Sequence, residues 1–237
     1  MHKFSTIRNS ALAVAVSFVT LFSYAPIVQA TTTTSSSQLS SVVTKGNMKI
    51  DQRMTTLQKL NAKVSAMTVV TAPDKTALTA QINDSASGLT NLRAKLNADK
   101  SVKAAHDDYD KIYTDYRVYM VIAPKVSIIK VADDQQAKAT IDMATVSLAQ
   151  LYVSGSGDTA LQTQLQTKLA DVSKKATDAY LKAQSVSAAV LQLRPSDYNQ
   201  NHQVMTNYLA QLKANKVQLT AAYNELKAIV IVLNDQG

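Results

Sequence analysis

Residues 165–193 of the chain read LQTKLADVSKKATDAYLKAQSVSAAVLQL, and this stretch decides the fold class. Because residues three and four apart share one face of an α-helix, apolar residues at these alternating spacings predict a long amphipathic helix with one buried stripe. The residues that keep the spacing are Leu165, Leu169, Val172, Ala176, Ala179, Ala183, Val186, Val190 and Leu193.

The same spacing returns at 78–96, 102–123 and 205–233, and no stretch alternates with the period of two that a strand requires. Proline, glycine and capping residues separate these periodic stretches. The chain is therefore predicted to be all-α. The predicted helices cover residues 42–70, 73–97, 102–153, 159–193 and 197–233.

The third predicted helix is unusually long, and Pro124 lies near its middle. Proline removes a backbone hydrogen bond and kinks or breaks a helix. We therefore predict two elongated, antiparallel three-helix bundles, residues 42–123 and 124–237, which share this helix with a kink at Pro124, in the manner of spectrin repeats. The alternative is a complete break at Pro124, which would fold all the helices into one compact up-and-down bundle.

Apolar residues fill nearly every position from Val118 to Ala132, on both sides of Pro124. A helix that is apolar on every face is usually buried on every face. The pattern therefore predicts that both bundles cover this segment at their junction. Lys125 and Lys130 argue against a segment that crosses a membrane.

The amino-terminal residues 1–30 have the layout of a secretory signal peptide. A basic start precedes an apolar run, and Val28-Gln29-Ala30 resembles a cleavage site. We interpret this layout as export with cleavage after Ala30, and an uncleaved anchor is the alternative. Residues 31–41 are almost all Thr and Ser, so they are predicted to form a flexible tether. No later apolar run is long enough to predict a membrane span in the mature chain.

The chain has no cysteine and a formal net charge of +8. The lack of cysteine excludes disulfide bonds and a lipid-modified cysteine. Because the lysines are spread along the chain, they indicate a solvated helical surface, and we expect no nucleic-acid partner. The expected partner is an unidentified protein or an envelope polymer, and the oligomeric state stays open.

Four segments between residues 45 and 135 resemble a known group of proteins: KGNMKIDQRM (45–54), DKTALTAQ (74–81), GLTNLRAK (88–95) and IYTDYRVYMVIAPK (112–125). They resemble exported helical, coiled-coil-like proteins of candidate-phyla (Patescibacteria-type) bacteria, a group without an assigned activity. The resemblance implies an exported helical protein. It carries over no catalytic or binding residue.

His106 and Asp110 belong to the densest group of possible metal ligands, and their spacing places them on one helix face. A transition-metal site usually needs three or four ligands, and acidic residues also gather at the positive end of a helix dipole. The pair is therefore a weak metal candidate, and we expect no bound metal. No haem-attachment motif is present either, so no cofactor is expected.

Motifs for catalysis are missing from the sequence. It contains no Gly-x-Ser-x-Gly elbow, no phosphate-binding loop and no dinucleotide fingerprint. Glu225 is the only glutamate, so a pair of catalytic carboxylates would have to come from aspartates. We expect no enzymatic activity and assign no catalytic residue.

Tyrosine is concentrated in one short segment of the third predicted helix. Most of these tyrosines fit the apolar stripe, which predicts core packing with the hydroxyls at the rim. Tyrosine and arginine together are also typical of binding hot spots. The candidate binding patch consists of Tyr109, Tyr113, Tyr116, Arg117 and Tyr119.

These observations predict an exported, non-enzymatic helical module that acts through contact with a protein or with the cell envelope. The alternative is a carrier of a small molecule or lipid that uses an apolar slot between helices near Pro124. An apolar cavity of several hundred Å³ would favour the carrier.

Overall fold

The computed structural model describes residues 29–155 and 158–235. In these residues the chain forms α-helices and one π-helical turn, without a strand, so the predicted all-α class is confirmed. The predicted signal peptide lies almost wholly outside the described residues. The helices are α1 (Gln29–Ala66), α2 (Ala72–Ala98), α3 (Val102–Thr114), α4 (Ala123–Ser154), α5 (Thr159–Gln192), α6 (Pro195–Gln200) and α7 (Val204–Asn234).

Side-chain caps define several of the helix starts. The Thr71 hydroxyl accepts a hydrogen bond from the Asp74 N–H at 3.4 Å, and proline follows Thr71 in the first turn of α2. Asp158 Oδ1 accepts from the N–H groups of Ala160 and Leu161, at 2.9 and 3.0 Å, where α5 begins. These caps satisfy backbone donors that have no partner inside the helix. The predicted starts of α2 and α5 are therefore confirmed.

The helices pack in two groups of three. Helices α1, α2 and α3 contact one another, and α4, α5 and α7 contact one another. The first half of α4 shares an apolar cluster with α1, α2 and α3, so this half lies at the junction of the groups. The domain boundary at residue 123 and the likeness to spectrin repeats stay predictions.

Pro124 lies in the first turn of α4, so the predicted kinked helix through this residue is wrong. The chain breaks earlier, between α3 and the π-helical turn Val118–Ile122. At the break, the Thr114 carbonyl accepts a hydrogen bond from Asn199 Nδ2 at 3.2 Å. The π-helical turn runs directly into α4, with the Ala123 N–H donating to the Val118 carbonyl, so Pro124 interrupts the helical hydrogen bonds only at this irregular turn.

Helix α1 includes residues 31–41, which the sequence predicted as a flexible tether. Once a helix has formed, each added residue contributes a backbone hydrogen bond, and Thr and Ser are only mildly unfavourable in helices. Leu39 packs against the apolar core, whereas the side chains of residues 35–38 are exposed. The structure thus corrects the tether to a helical segment that is anchored at Leu39.

The apolar segment from Val118 to Ala132 is largely buried, as its composition predicts. Val121, Val126 and Ile129 have no exposed surface, whereas Tyr119 and Met120 are 45% exposed. None of the described helices has both the length and the apolar character needed to cross a bilayer. The segment is therefore a core element at the junction.

Lys125 is buried at this junction, with 1% of its surface exposed. Its ammonium donates hydrogen bonds to Gln81 Oε1 at 2.5 Å and to the carbonyls of Leu191 and Leu193 at 3.2 and 2.7 Å. Burial lowers the pKa of Lys125 to about 8, and Asp197 acts against this shift. The buried ammonium thus connects the start of α4 to the end of α5, where helix carbonyls attract a positive charge.

Candidate ligand cavity

A cavity of about 500 Å³ lies between α4 and α7. Its walls carry more apolar than polar surface, and four charged side chains also line it. The apolar and aromatic part consists of Val131, Ile141, Leu219 and Tyr223. The charged residues are Asp134, Lys138, Asp142 and Lys216.

Small residues and polar interruptions explain why the core is open here. Among the described residues, the buried apolar side chains at this level are Ala139, Ala179 and Leu219, with Tyr180 partly buried against them, between two larger apolar clusters. Alanine side chains cannot fill the space that larger apolar residues fill elsewhere between helices. The stripe of α4 also carries Gln135 and Asp142 where large apolar side chains would close the gap.

Gln135 and Asn215 form a buried polar layer beside the cavity. Asn215 Nδ2 donates to Gln135 Oε1 and to the Ala179 carbonyl, both at 2.8 Å. Gln135 Nε2 donates to the Leu212 carbonyl at 2.9 Å. Because buried amides are stable only when they are hydrogen-bonded, this network fixes how α4, α5 and α7 align.

Asp142 differs from these amides because it lacks a partner. It is 5% exposed, and no hydrogen bond or ion pair joins it to another described residue. Burial raises its pKa, and no neighbouring charge contributes to the shift. A partnerless carboxylate in a largely apolar wall is a chemically distinct point in the cavity.

The nearest lysine on the same helix is engaged elsewhere. Lys138 lies four residues from both Asp134 and Asp142, and it pairs with Asp134 at 2.7 Å. An acid that precedes its base by four residues forms the better helical pair. The pairing therefore leaves Asp142 without a counter-charge.

The predicted tyrosine patch comes together in the structure, but most of its groups contact one another or the protein itself. The hydroxyls of Tyr109 and Tyr113 lie 3.1 Å apart. The Arg53 guanidinium stacks 4.5 Å from the Tyr113 ring centroid and 5.3 Å from that of Tyr119. Only Tyr119 counts as exposed, and it is also within 3.4 Å of the Thr56 hydroxyl.

Arg117 and Tyr116 also make internal contacts. Arg117 hydrogen-bonds to Asn199 and lies 5.1 Å from the Tyr198 ring centroid, so it attaches α6 to the break after α3. The Tyr116 ring packs against Gly88 of α2. These contacts give the patch a structural role, and its role in binding stays a prediction.

The weak metal candidate, His106 and Asp110, lies on the exposed surface of α3. Within residues 29–155 and 158–235, no group of three or more possible ligands is placed to hold a metal ion. The two side chains thus lack the further ligands that a transition-metal site needs.

Asp142, Lys125 and Asp133 were not identified as special by sequence reasoning. A signal for Asp142 existed, because it interrupts the spacing Gln135, Ala139, Asp142, Val146, Ala149 and Val153 on α4. For Lys125 and Asp133, the sequence shows a charge in or directly after an apolar run, but not the partners Thr71 and Leu191, which lie more than 60 residues away.

No family model, curated protein or solved structure matches the chain. The resemblance to exported helical proteins of candidate-phyla bacteria therefore stays a prediction.

Proposed function

We propose that the chain is an exported, non-enzymatic helical protein that binds a small, largely apolar ligand between α4 and α7. The observation that carries the proposal is the cavity of about 500 Å³. Ligand sites in proteins typically have volumes of about 300–1,000 Å³ and apolar walls with a few polar groups. The signal-like amino terminus supports export, and the lack of catalytic motifs supports a binding role.

The sequence predicted a carrier slot near Pro124, whereas the cavity lies further along α4. Near Pro124 the junction is filled by buried side chains, including Lys125 and Val126. The cavity instead begins at Val131 and extends to Asp142. We place the carrier function ahead of the contact function because the cavity offers a defined volume, whereas the tyrosine patch is occupied by internal contacts.

A neutral apolar fluorophore tests the proposal directly. N-phenylnaphthylamine has roughly 17 non-hydrogen atoms, and at about −0.3 to −0.4 kcal/mol each its dissociation constant should be about 10–200 μM. We expect its fluorescence to rise and saturate when the folded protein is titrated into it. The titration should give a single site per chain.

A matched pair of variants locates that site. Thr220 lines the cavity, whereas Thr206 is an exposed residue of α7 that does not line it. Thr220→Phe should fill the cavity and weaken binding about tenfold or more, and Thr206→Phe should bind like the original protein. Equal binding by both variants, or no saturable binding at all, would remove the cavity from consideration.

Contact with a protein or an envelope polymer is the second candidate function. It is favoured by Ile141, Leu148 and Tyr152, which are 64%, 56% and 68% exposed. Their spacing places them along one side of α4, and exposed apolar patches of this kind often mark contact surfaces.

Cross-linking in cell-surface and secreted fractions tests this candidate. Leu148→Lys should lose a cross-linked partner that Tyr113→Ala retains, because Tyr113 is packed internally. If only Tyr113→Ala loses the partner, the contact surface is the tyrosine patch. Unchanged cross-linking in both variants would argue against both surfaces.

A further inference from the structure

We propose that the cavity between α4 and α7 selects ligands that carry an amine or ammonium group on an apolar body, and that Asp142 binds this cationic group. The inference rests on the proposed function, because it concerns the ligand of the same cavity. It adds the charge of the ligand, which the volume and the apolar walls alone do not determine.

The environment of Asp142 supports a cationic ligand. A buried carboxylate costs free energy unless it is paired or hydrogen-bonded. Asp142 occupies the buried stripe of α4 between Ala139 and Val146, with 5% of its surface exposed, and it lines the cavity. No described residue pairs with it, and its oxygens are open to the cavity, so a cation bound there can take the place of water beside them.

The lysines of the surrounding helices do not satisfy this carboxylate. Lys138 pairs with Asp134 at 2.7 Å, and Lys175 of α5 pairs with Glu225 of α7 at 2.8 Å. Lys216 lines the cavity from α7, but its side chain is exposed and forms no ion pair with a described residue. Water screens such an exposed charge, so Lys216 repels a bound cation only weakly.

The walls indicate that the cation belongs to a larger apolar molecule. Ile141 and Tyr223 line the cavity and are 64% and 54% exposed, so a bound apolar body would cover them. The Tyr223 ring also offers a face that attracts cations. A bare metal ion is a poor alternative, because the described residues hold no group of three or more ligands for it.

Three probes with one shared body separate charge from shape. 6-Phenylhexylamine, 6-phenylhexanol and 7-phenylheptanoate share a phenyl ring and six methylene groups and differ only in the head group, which is cationic, neutral or anionic at neutral pH. We expect calorimetry or ligand-observed NMR to show that the amine binds about 10- to 100-fold more tightly than the alcohol, with the carboxylate weakest.

Variants at two aspartates of the same cavity identify the binding group. Asp142→Asn keeps the size of the side chain but removes its charge, so it should abolish the preference for the amine over the alcohol. Asp134→Asn combined with Lys138→Gln removes the neighbouring ion pair as a whole, so no freed lysine can pair with Asp142 and the preference should stay. Circular dichroism checks the fold of each variant, and Asp142→Ala replaces Asp142→Asn if the amide disturbs folding.

The outcomes distinguish the inference from the proposed function. If amine and alcohol bind the original protein equally, the inference is overturned while the cavity stays a ligand site. Tightest binding by the carboxylate, or an equal loss of preference in the Asp134→Asn/Lys138→Gln variant, would also overturn it. If none of the three probes and no neutral fluorophore binds, the proposed function itself fails.

Discussion

Asp133 joins the start of α2 to α4 through one buried carboxyl group. Its Oδ2 accepts from the Thr71 N–H at 2.9 Å, and its Oδ1 accepts from Gln136 Nε2 at 3.0 Å. Asp74 faces the same group and accepts from the Ser187 hydroxyl of α5 at 2.6 Å. Burial, with Asp74 adding to it, raises the pKa of Asp133 to about 6.

This raised pKa makes the stability of the protein depend on pH. The folded state favours the protonated carboxyl, so its stabilising contribution is complete below the ordinary pKa of 3.8 and is lost as pH rises through about 6. Asp133→Asn mimics the protonated form. We therefore expect the variant to be more stable than the original protein above about pH 7, by about 1–3 kcal/mol, and to lose this advantage near pH 4.

Urea unfolding followed by circular dichroism at several pH values measures the difference between the two proteins. Taking this difference cancels the titration of groups that the substitution does not touch. The neighbouring Asp134 is a suitable control, because it is partly exposed and paired with Lys138. Asp134→Asn should show no such loss of advantage between pH 7 and 4, and a pH-independent difference for Asp133→Asn would contradict the prediction.

At the scale of the helices, close contact between α2 and the break after α3 depends on a glycine. A Cβ atom at Gly88 would lie 2.3 Å from Tyr116 Cε1 and 2.7 Å from its hydroxyl oxygen. Alanine favours a helix over glycine by about 1 kcal/mol, but displacing a packed ring costs about 1–3 kcal/mol. We expect Gly88→Ala to lower the free energy of unfolding by about 1 kcal/mol, which corresponds to about 2–4 °C in Tm.

A double substitution separates these two effects. In the background of Tyr116→Ala the ring is gone, so Gly88→Ala should become stabilising through helix propensity alone. Gly155→Ala is a useful control, because a Cβ there would be no closer than 3.6 Å to its neighbours. Thermal unfolding that shows the same effect of Gly88→Ala with and without Tyr116 would refute the proposed contact.

The helix boundaries show which helix ends can be predicted from neighbouring residues and which cannot. Thr71 and Asp158 cap helices through neighbours a few residues away, and the helix starts beside them were predicted. The break after Thr114 depends instead on Asn199, 85 residues further along the chain. Because no local pattern encodes such a contact, Pro124 appeared to be the natural place for the interruption.

The same distinction holds for the whole molecule and its candidate site. The apolar spacing predicted the class and most of the helices, because each stripe is local in sequence. The cavity arises where α4 packs beside α7, and the large separation of these helices in sequence hides it. Asp142 could have been noted as a polar interruption of a stripe. Only the packing of α4, α5 and α7 shows that no described residue pairs with it.

Export is a property of the whole molecule, and it decides which ligands the cavity can meet. Signal peptidase requires a small residue just before the cleaved bond and tolerates larger ones at the position before it. We therefore expect the mature chain to begin at Thr31, Ala30→Phe to block processing, and Gln29→Phe to be processed normally. Mass spectrometry of the amino terminus, after cell fractionation in a bacterial host, distinguishes these forms. An unprocessed original chain that stays with the membrane would establish the uncleaved anchor instead. Cleavage would leave Leu39, which anchors α1 to the core, in the mature protein.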